Sequence, residues 1–362
     1  MFSWNNAEDT SLFSLDFSAI FYYLSIYPSF MGDLTLSQFE ARIKFESDAD
    51  LSHWSGNTLR SGFGAHLKAL VCATGGGRTD SGRSAHTTEG CISCPLRTAC
   101  VYDYFFNSSP APGATVLRKQ SDIPRPFAFD PPAPGSHSAG SEAAFNFTLI
   151  GRGVEYLPYF LLALRNLGES GMSRGYRLGY GRFALQSVDS IGYGVRNNIF
   201  SGDTVYNRAV AIGFQEMRHA SAEHRGDLLV RFLTPAQIKE DDRFTATPTF
   251  RGLMSRLLFR ANALAEFFGT GMLFDQERSL ALLGECREVA TVAASTREVR
   301  ARRYFHKQKI KKHQLPPFFV GEIKYHGDFS RDVMALLELG RLIHVGKMAT
   351  FGNGMYEIRC EG

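Results

Sequence analysis

The sequence is poor in three things, and each scarcity narrows what the chain can be. Cysteine is rare, six in 362 residues, far below the density with which disulfides staple small secreted domains. Charge of one sign is barely in excess. Forty Lys and Arg face 36 Asp and Glu, a formal net charge of +4, so any argument for a polyanionic partner rests on where the cations sit. Unbroken apolar runs are also missing. The apolar stretch at 12–30 is interrupted by Asp16 and Pro28, and Glu8 and Asp9 stand where a secretory leader carries Lys or Arg. Neither a membrane span nor a signal peptide is expected, and a reducing cytoplasm is the expected compartment.

What is plentiful is material for a core. Hydrophobic residues make up 44% of the chain and aromatics 13%, a composition that excludes wholesale disorder. The length exceeds the ~100–200 residues that one core usually organises, so two domains are expected. Residues 12–27 read as extended chain. Residues 57–72 switch to helical spacing, with Leu59, Phe63, Leu67 and Leu70 on one face and Asn57 or Thr58 available as N-cap. Residues 75–86 and 108–141 are dominated by Gly, Ser, Pro and Ala, and the second of these predicts a linker between units at 1–140 and 141–362. Beyond it a strand is expected at 144–150, then a helix entered at Pro158 and ended at Gly168. A strand at 228–233, a long amphipathic helix at 250–268, a strand at 321–325 and a helix at 328–343 capped by Asp328 or Ser330 follow. Glycine-punctuated extended chain at 346–358 closes the series. Two strand-and-helix units of the α+β class, each ferredoxin-like, is the economical architecture.

Three groups of residues can carry chemistry. Cys72, Cys91, Cys94 and Cys100 contain a Cys-x2-Cys step that lets two thiolates converge on one tetrahedral ion, with the others from either flank. The Gly-rich chain between Cys72 and Cys91 has little to bury, so a metal would supply its organisation. Structural zinc is the leading expectation for this insertion (72–100). An iron–sulfur cluster or four free thiols are the alternatives, His86 can replace one Cys, and no catalysis is assigned to a closed thiolate site. The densest basic run, 297–313, holds Arg297, Arg300, Arg302, Arg303, Lys307, Lys309, Lys311 and Lys312 against Glu298 alone, interleaved with Tyr304, Phe305, His306 and His313. Cations neutralise phosphates and rings stack on unpaired bases, which suits RNA, although a solvated charged face would look similar. Gly346, Lys347, Gly352 and Gly354 lie in a loop (346–354) whose glycines can bring backbone N–H groups near phosphates, or form a plain hairpin turn. No Ser/His/Asp or Walker pattern is present. For a proton acceptor, His66 at the border of the helix face, and His306 and His313 among the cations, are the candidates.

The ordered series of motifs resembles a known family. The segment from Gly56 through Arg60, Gly62, Phe63, Gly64, His66 and Lys68, followed by the cysteine group running into Val101 and Tyr102, is similar to the CRISPR precursor-RNA processing endoribonucleases of the RAMP superfamily. The likeness continues through Pro124 to Phe127, Ile150 to Phe160, Arg231 to Pro235, Phe250 to Leu253, Gly321 to Tyr325 and the loop from His344 to Tyr356. It covers about residues 59–358. The resemblance implies tandem ferredoxin-like (RRM-like) domains in a prokaryotic cytoplasmic protein that binds CRISPR repeat RNA. Such enzymes cut precursor guide RNA without catalytic metal, the ribose 2′-hydroxyl attacking the adjacent phosphate to leave a 2′,3′-cyclic phosphate. The resemblance does not fix which histidine acts; His66, Lys68 and His306 are the expected catalytic residues, with Lys68 or Lys347 expected near the phosphate. Arg60, the cations of the basic run and the loop residues Gly346, Lys347, Gly352 and Gly354 are the expected RNA contacts. The alternative implied by the same family is a non-catalytic subunit holding mature guide RNA in an interference complex. The helix reads Arg-Ser-Gly where the family leads one to expect Arg-Gly followed by a small residue.

Overall fold

A computed structural model describes residues 32–52, 54–73, 91, 93–108, 123–172, 178–300 and 316–361. The first unit contains β1 (Thr35–Phe45), β2 (Ala49–Leu51), α1 (Ser55–Val71), β3 (Phe127–Asp130), β4 (Gly135–His137), β5 (Glu142–Ile150) and α2 (Leu157–Ser170). It continues with β6 (Phe183–Gly192), β7 (Val195–Ser201), β8 (Thr204–Val205) and β9 (Ile212–Gly213). Its sheet runs β3-β5-β1-β6-β7-β8, with β9 pairing the start of β1. Without the added edge strands this is the antiparallel β-α-β-β-α-β arrangement of a ferredoxin-like domain. A short helix α3 (Phe214–Ala220) leads to the second unit. That unit comprises β10 (His224–Ala236), the hairpin β11 (Ile238–Glu240) and β12 (Arg243–Thr245), α4 (Phe250–Phe268), α5 (Gln276–Glu285), β13 (Ala290–Val299), β14 (Phe318–Phe329), α6 (Arg331–Ile343) and β15 (Tyr356–Glu361). Its sheet order, β13-β14-β10-β15, repeats the same topology.

Alternation drives the first sheet. Phe39, Ala41, Ile43 and Phe45 of β1 are buried while Glu40, Arg42 and Lys44 point away, the period of two that puts one strand face on a core. The helices cover that face with aromatic rings: Phe63 of α1 lies 4.2 Å, centroid to centroid, from Phe160 of α2, which stacks 4.7 Å from Phe147 of β5. In the second unit Thr249 caps α4 by accepting from the Gly252 N–H at 3.0 Å. Ser330, not Asp328, accepts from the Val333 N–H to cap α6.

Two expectations need correction. Residues 141–213 belong to the first unit, because β5 pairs with β1 in the register Leu36↔Ile150 to Lys44↔Glu142 and β6 pairs with β1's other edge. The division between sheets therefore falls after β9, not at residue 141. Pro and Gly report where the chain turns, and say nothing about whether the strands on either side share a sheet. The first helix begins at Ser55, two residues before the expected caps. Trp54 occupies its N-cap with no side-chain bond, and Asn57 and Thr58 lie inside the first turn. The extended segment expected at 12–27 lies outside the described residues. Among those described, no helix is long and apolar enough to cross a membrane.

The two units share a core. Leu34, Leu36, Ile150 and Ile212 of the first pack into the buried cluster built by α4, α6 and the second sheet. Gly151 shows how closely they meet: a Cβ there would fall 2.1 Å from the Phe268 carbonyl oxygen.

Candidate nucleic-acid interface

The loop between α6 and β15 forms a seam between the units. Arg260, buried in α4 with its guanidinium pushed down to about 10 by lost solvation, donates from Nε to the Ile343 carbonyl at 2.8 Å and so closes α6. The next residue, His344, is wholly buried at φ 63°, ψ 168°, a backbone region essentially reserved for glycine. Both of its ring nitrogens face acceptors. Nε2 donates to Asp130 Oδ1 of the first unit at 2.7 Å, and Nδ1 lies 3.2 Å from the Ala349 carbonyl oxygen. A buried charge-assisted bond between residues 214 positions apart thus holds the units together.

The loop glycines serve this docking. A Cβ on Gly352 would lie 2.4 Å from Pro131 and 2.7 Å from the Phe129 carbonyl oxygen, and one on Gly354 would lie 1.8 Å from the Val345 carbonyl oxygen. One on Gly346 would meet the Gln237 carbonyl oxygen at 2.5 Å. The amides are committed as well: Gly354 donates to Pro235 O at 3.1 Å, Gly352 to Ala349 O at 3.0 Å and Lys347 to Gln237 O at 3.2 Å. The expectation that Gly352 and Gly354 cradle phosphates with their backbone is therefore corrected, since their N–H groups already have carbonyl partners. Gly346 is required by the approach of the Gln237 backbone. Arg60 is likewise drawn into the seam, its guanidinium 4.2 Å from the Phe351 ring centroid and 5.0 Å from that of Phe106.

Lys347 differs from its neighbours. Its side chain is exposed, with Nζ 5.3 Å from the Phe244 ring centroid in β12. Its ammonium pKa is lowered by desolvation, then by Lys239 and Arg256. Three cations and a partly exposed ring thus meet where β11, α4 and the loop converge, a combination that matches a phosphate with its base. Lys239 and Arg256 were invisible to a search for charge runs, because the hairpin and helix bring them together from positions 17 apart.

The basic run is rooted at the same seam. β13 and β14 end on the pair Val299↔Phe318, and Arg297 and Arg300 are exposed there. Arg302, Arg303, His306, Lys307, Lys309, Lys311, Lys312 and His313 lie outside the described residues. On the returning side, Gln237 donates from Nε2 to Pro316 O at 2.8 Å while its own carbonyl holds Lys347. Across from this root stands the turn that enters α1. Trp54 meets Phe318 edge-on at 5.1 Å, and Leu51, Ser52, Trp54, Pro134, Gly135 and Val299 line a cavity of about 400 Å³. His53, passed over on the sequence alone, lies outside the described residues.

His66 and Lys68 do not reach this seam. His66 follows Arg60 by six positions, roughly 120° around the helix, and faces α2, where Glu169 lies near it. Desolvation holds its pKa below the ordinary 6.5, with Glu169 opposing the shift. Lys68 is only 2% exposed, its ammonium 5.2 Å from the Tyr102 ring centroid, so in this fold it packs inside the first unit and presents no cation to a phosphate. The four cysteines lie at the opposite end of α1, whose 17 residues span roughly 25 Å. Among the described residues no three Cys, His, Asp or Glu side chains are gathered as metal ligands, so the expected zinc site is not assembled here.

Residues 230–356 match the family model for the CRISPR-associated endoribonuclease Cas6, and residues 34–212 match a model described as an N-terminal domain. The chain is thus similar to the Cas6 family over its second unit. Its tandem ferredoxin-like fold agrees: the Thermus thermophilus Cas6 product complex superposes with a TM-score of 0.50 at 17% identity, covering 90% of this chain and 100% of that one. A chain of a Cas6-RT-Cas1–Cas2 complex gives a TM-score of 0.53 at 12% identity, with 92% of this chain matching 47% of that longer one. An Archaeoglobus fulgidus protein described as uncharacterized is 24% identical over 333 residues, 90% of this chain and 98% of its own length.

Proposed function

We propose that this protein cuts CRISPR precursor RNA once per repeat by metal-independent transesterification, the 2′-hydroxyl attacking its own 3′-phosphate to leave a 2′,3′-cyclic phosphate and a free 5′-hydroxyl. The observation that carries the proposal is the convergence, in a Cas6-family fold, of the α1 entry turn, the root of the basic run and the Lys347–Lys239–Arg256 cluster on one seam. The reaction asks for an acceptor for the 2′-OH proton, cations for the charge on the phosphorane, and a rigid frame that holds the attack in line. Cations and frame are supplied by the seam. For the acceptor, His53 stands next to Ser52 and Trp54 in the sequence and His306 and His313 stand within the basic run, whereas His66 lies near Glu169 of α2.

Repeat RNA incubated with protein in chelator is expected to be cut at one site, with a product end that resists phosphatase until acid opens the cyclic ester. His53→Ala, His306→Ala and His313→Ala are compared with His66→Ala for cleavage and for binding. One of the first three is expected to lose cleavage by about 10²–10⁴-fold with binding retained, while His66→Ala keeps it. Binding without cleavage by the wild type would instead make the protein a guide-RNA-holding subunit, and cleavage only after a divalent metal is restored would overturn the mechanism.

A further inference from the structure

We propose that the cavity between the α1 entry turn and the end of the second sheet is a pocket for one unpaired base of the RNA, with Trp54 as its stacking platform. This rests on the reading that repeat RNA is the substrate. On the face of the second sheet turned away from its helices, charged side chains are tied to one another across the strands. Arg231 bonds Glu322 at 3.3 Å and Glu357 at 3.5 Å, and Lys324 reaches Glu361 at 2.6 Å and Asp227 at 3.5 Å. His326 is bonded to Asp227 at 2.7 Å. Aromatic rings on such a face give unpaired bases a surface to stack on; here paired charges occupy the middle of it.

The end of the sheet is different. Phe319 enters the core beneath the helices, so Phe318 next to it faces the other way, and Val299 opposite Phe318 shares its side. Arg297, two residues back along β13, lies on that side too and is exposed. Onto this end the first unit brings Trp54, just beyond the point where β2 and β4 close on the pair Leu51↔Gly135. The indole is half-buried and meets Phe318 at 5.1 Å with the rings 78° apart. An edge-to-face contact covers at most one face of the indole. The other walls are Leu51, Ser52, Pro134, Gly135 and Val299, enclosing about 400 Å³, the small end of the roughly 300–1,000 Å³ of ligand pockets. Ser52, Pro134 and Gly135 are exposed, and a Cβ on Gly135 would meet nothing within 4 Å, so the mouth opens to solvent. Apolar walls, an indole with a face clear of Phe318 and a guanidinium one pleat away match a base attached to its phosphate.

The chain has two tryptophans, Trp4 and Trp54, so Trp4→Phe leaves Trp54 as the sole indole reporter. Binding is measured on repeat RNA with hydrogen in place of the 2′-hydroxyl at the cut, and on the same RNA made abasic at each position in turn. Intact RNA is expected to quench Trp54 emission. One abasic position is expected to abolish the quench and to weaken binding roughly 5- to 150-fold, the range of one base–aromatic stack. Trp54→Ala should weaken binding of intact RNA by the same factor yet bind that abasic RNA as well as wild type does, whereas Trp54→Phe keeps most of the affinity. Because Trp54→Ala also loses the contact with Phe318 and can misfold, Val299→Phe provides a second variant. It fills the cavity, leaves the indole in place and is expected to reproduce the position-specific loss. No quench, a quench that no single abasic position relieves, a Trp54→Ala loss equal on intact and on every abasic RNA, or Val299→Phe binding like wild type would each overturn the pocket; cleavage of repeat RNA by the wild type would still leave the proposed function standing. Wild type that neither binds nor cuts repeat RNA would overturn both.

Discussion

Removing the imidazole of His344 is the sharpest test of the seam. The ring is wholly buried and its Asp130 partner is 9% exposed, so His344→Ala leaves a carboxylate buried with its short bond gone. Breaking one side of such a pair costs about 3–5 kcal/mol, a large part of the ~5–15 kcal/mol that holds a typical protein folded. Water entering the vacated space recovers some of this. His344→Gly loses the same bonds but relieves a backbone conformation, φ 63° and ψ 168°, that costs a non-glycine residue about 1–3 kcal/mol. The expected order of stability is wild type, then glycine, then alanine, with alanine down by about 3 kcal/mol or more and glycine at least about 1 kcal/mol better. Urea unfolding followed by circular dichroism measures all three, and Asp130→Asn, which keeps an acceptor for Nε2, should fall between wild type and His344→Ala. Alanine within about 1 kcal/mol of wild type, or glycine no better than alanine, would refute the claim that a strained backbone is held in place by a buried interunit bond.

Other outcomes follow from the same geometry. Arg60→Lys keeps the charge but loses the planar group between Phe106 and Phe351, so thermal stability should drop by about 1 kcal/mol, and a variant as stable as wild type would return Arg60 to the RNA-contact set. His66 has a folded-state pKa below its ordinary 6.5, so the unfolded chain binds more protons as the solution is acidified. Its contribution is fully favourable above pH 6.5 and is lost as pH falls through 6.5 toward the folded value; His66→Gln should flatten the stability–pH curve in that window alone. Replacing exposed Arg297 and Arg300 by Gln should weaken repeat-RNA binding evenly across sequences and reduce the salt dependence by roughly one to two counterions, as filter binding at several salt concentrations would reveal.

Local periodicity made much of the architecture legible. The helix at 250–268 appears at those bounds because its apolar spacing and its cap are both local, and the same holds for the strands within β5, β10 and β14. What failed was non-local. The Pro- and Gly-rich stretch before residue 141 looked like a linker because composition carries no information on which strands pair, and β5 returns to β1 across it. The site shows the same divide. Lys347 stood out as a cation beside glycines and remains exposed, whereas Lys68 looked equally suited until its helix face turned it onto Tyr102. Asp130 and His344 carried no signal as a pair, because a bond between residues 214 apart is written only in the tertiary fold.

The placement of α1 explains why one helix carried so many of the motifs. Its N-terminal turn presents Gly56 to the Phe351 carbonyl oxygen, so close that a Cβ would lie 1.9 Å away, and its C-terminal residue hands the chain to Cys72. Between these ends, Gly62 admits Leu167 of α2 and Gly64 admits the ring of Phe106. Glycines at helix positions that local propensity disfavours are thus kept for approach, each at a cost of about 1 kcal/mol relative to alanine. A helix so fitted is packed along its length from the seam to Cys72. In-line attack tolerates little displacement of the reacting groups. On the proposed reading, the far end of α1 therefore bears on cleavage through how firmly it holds the helix.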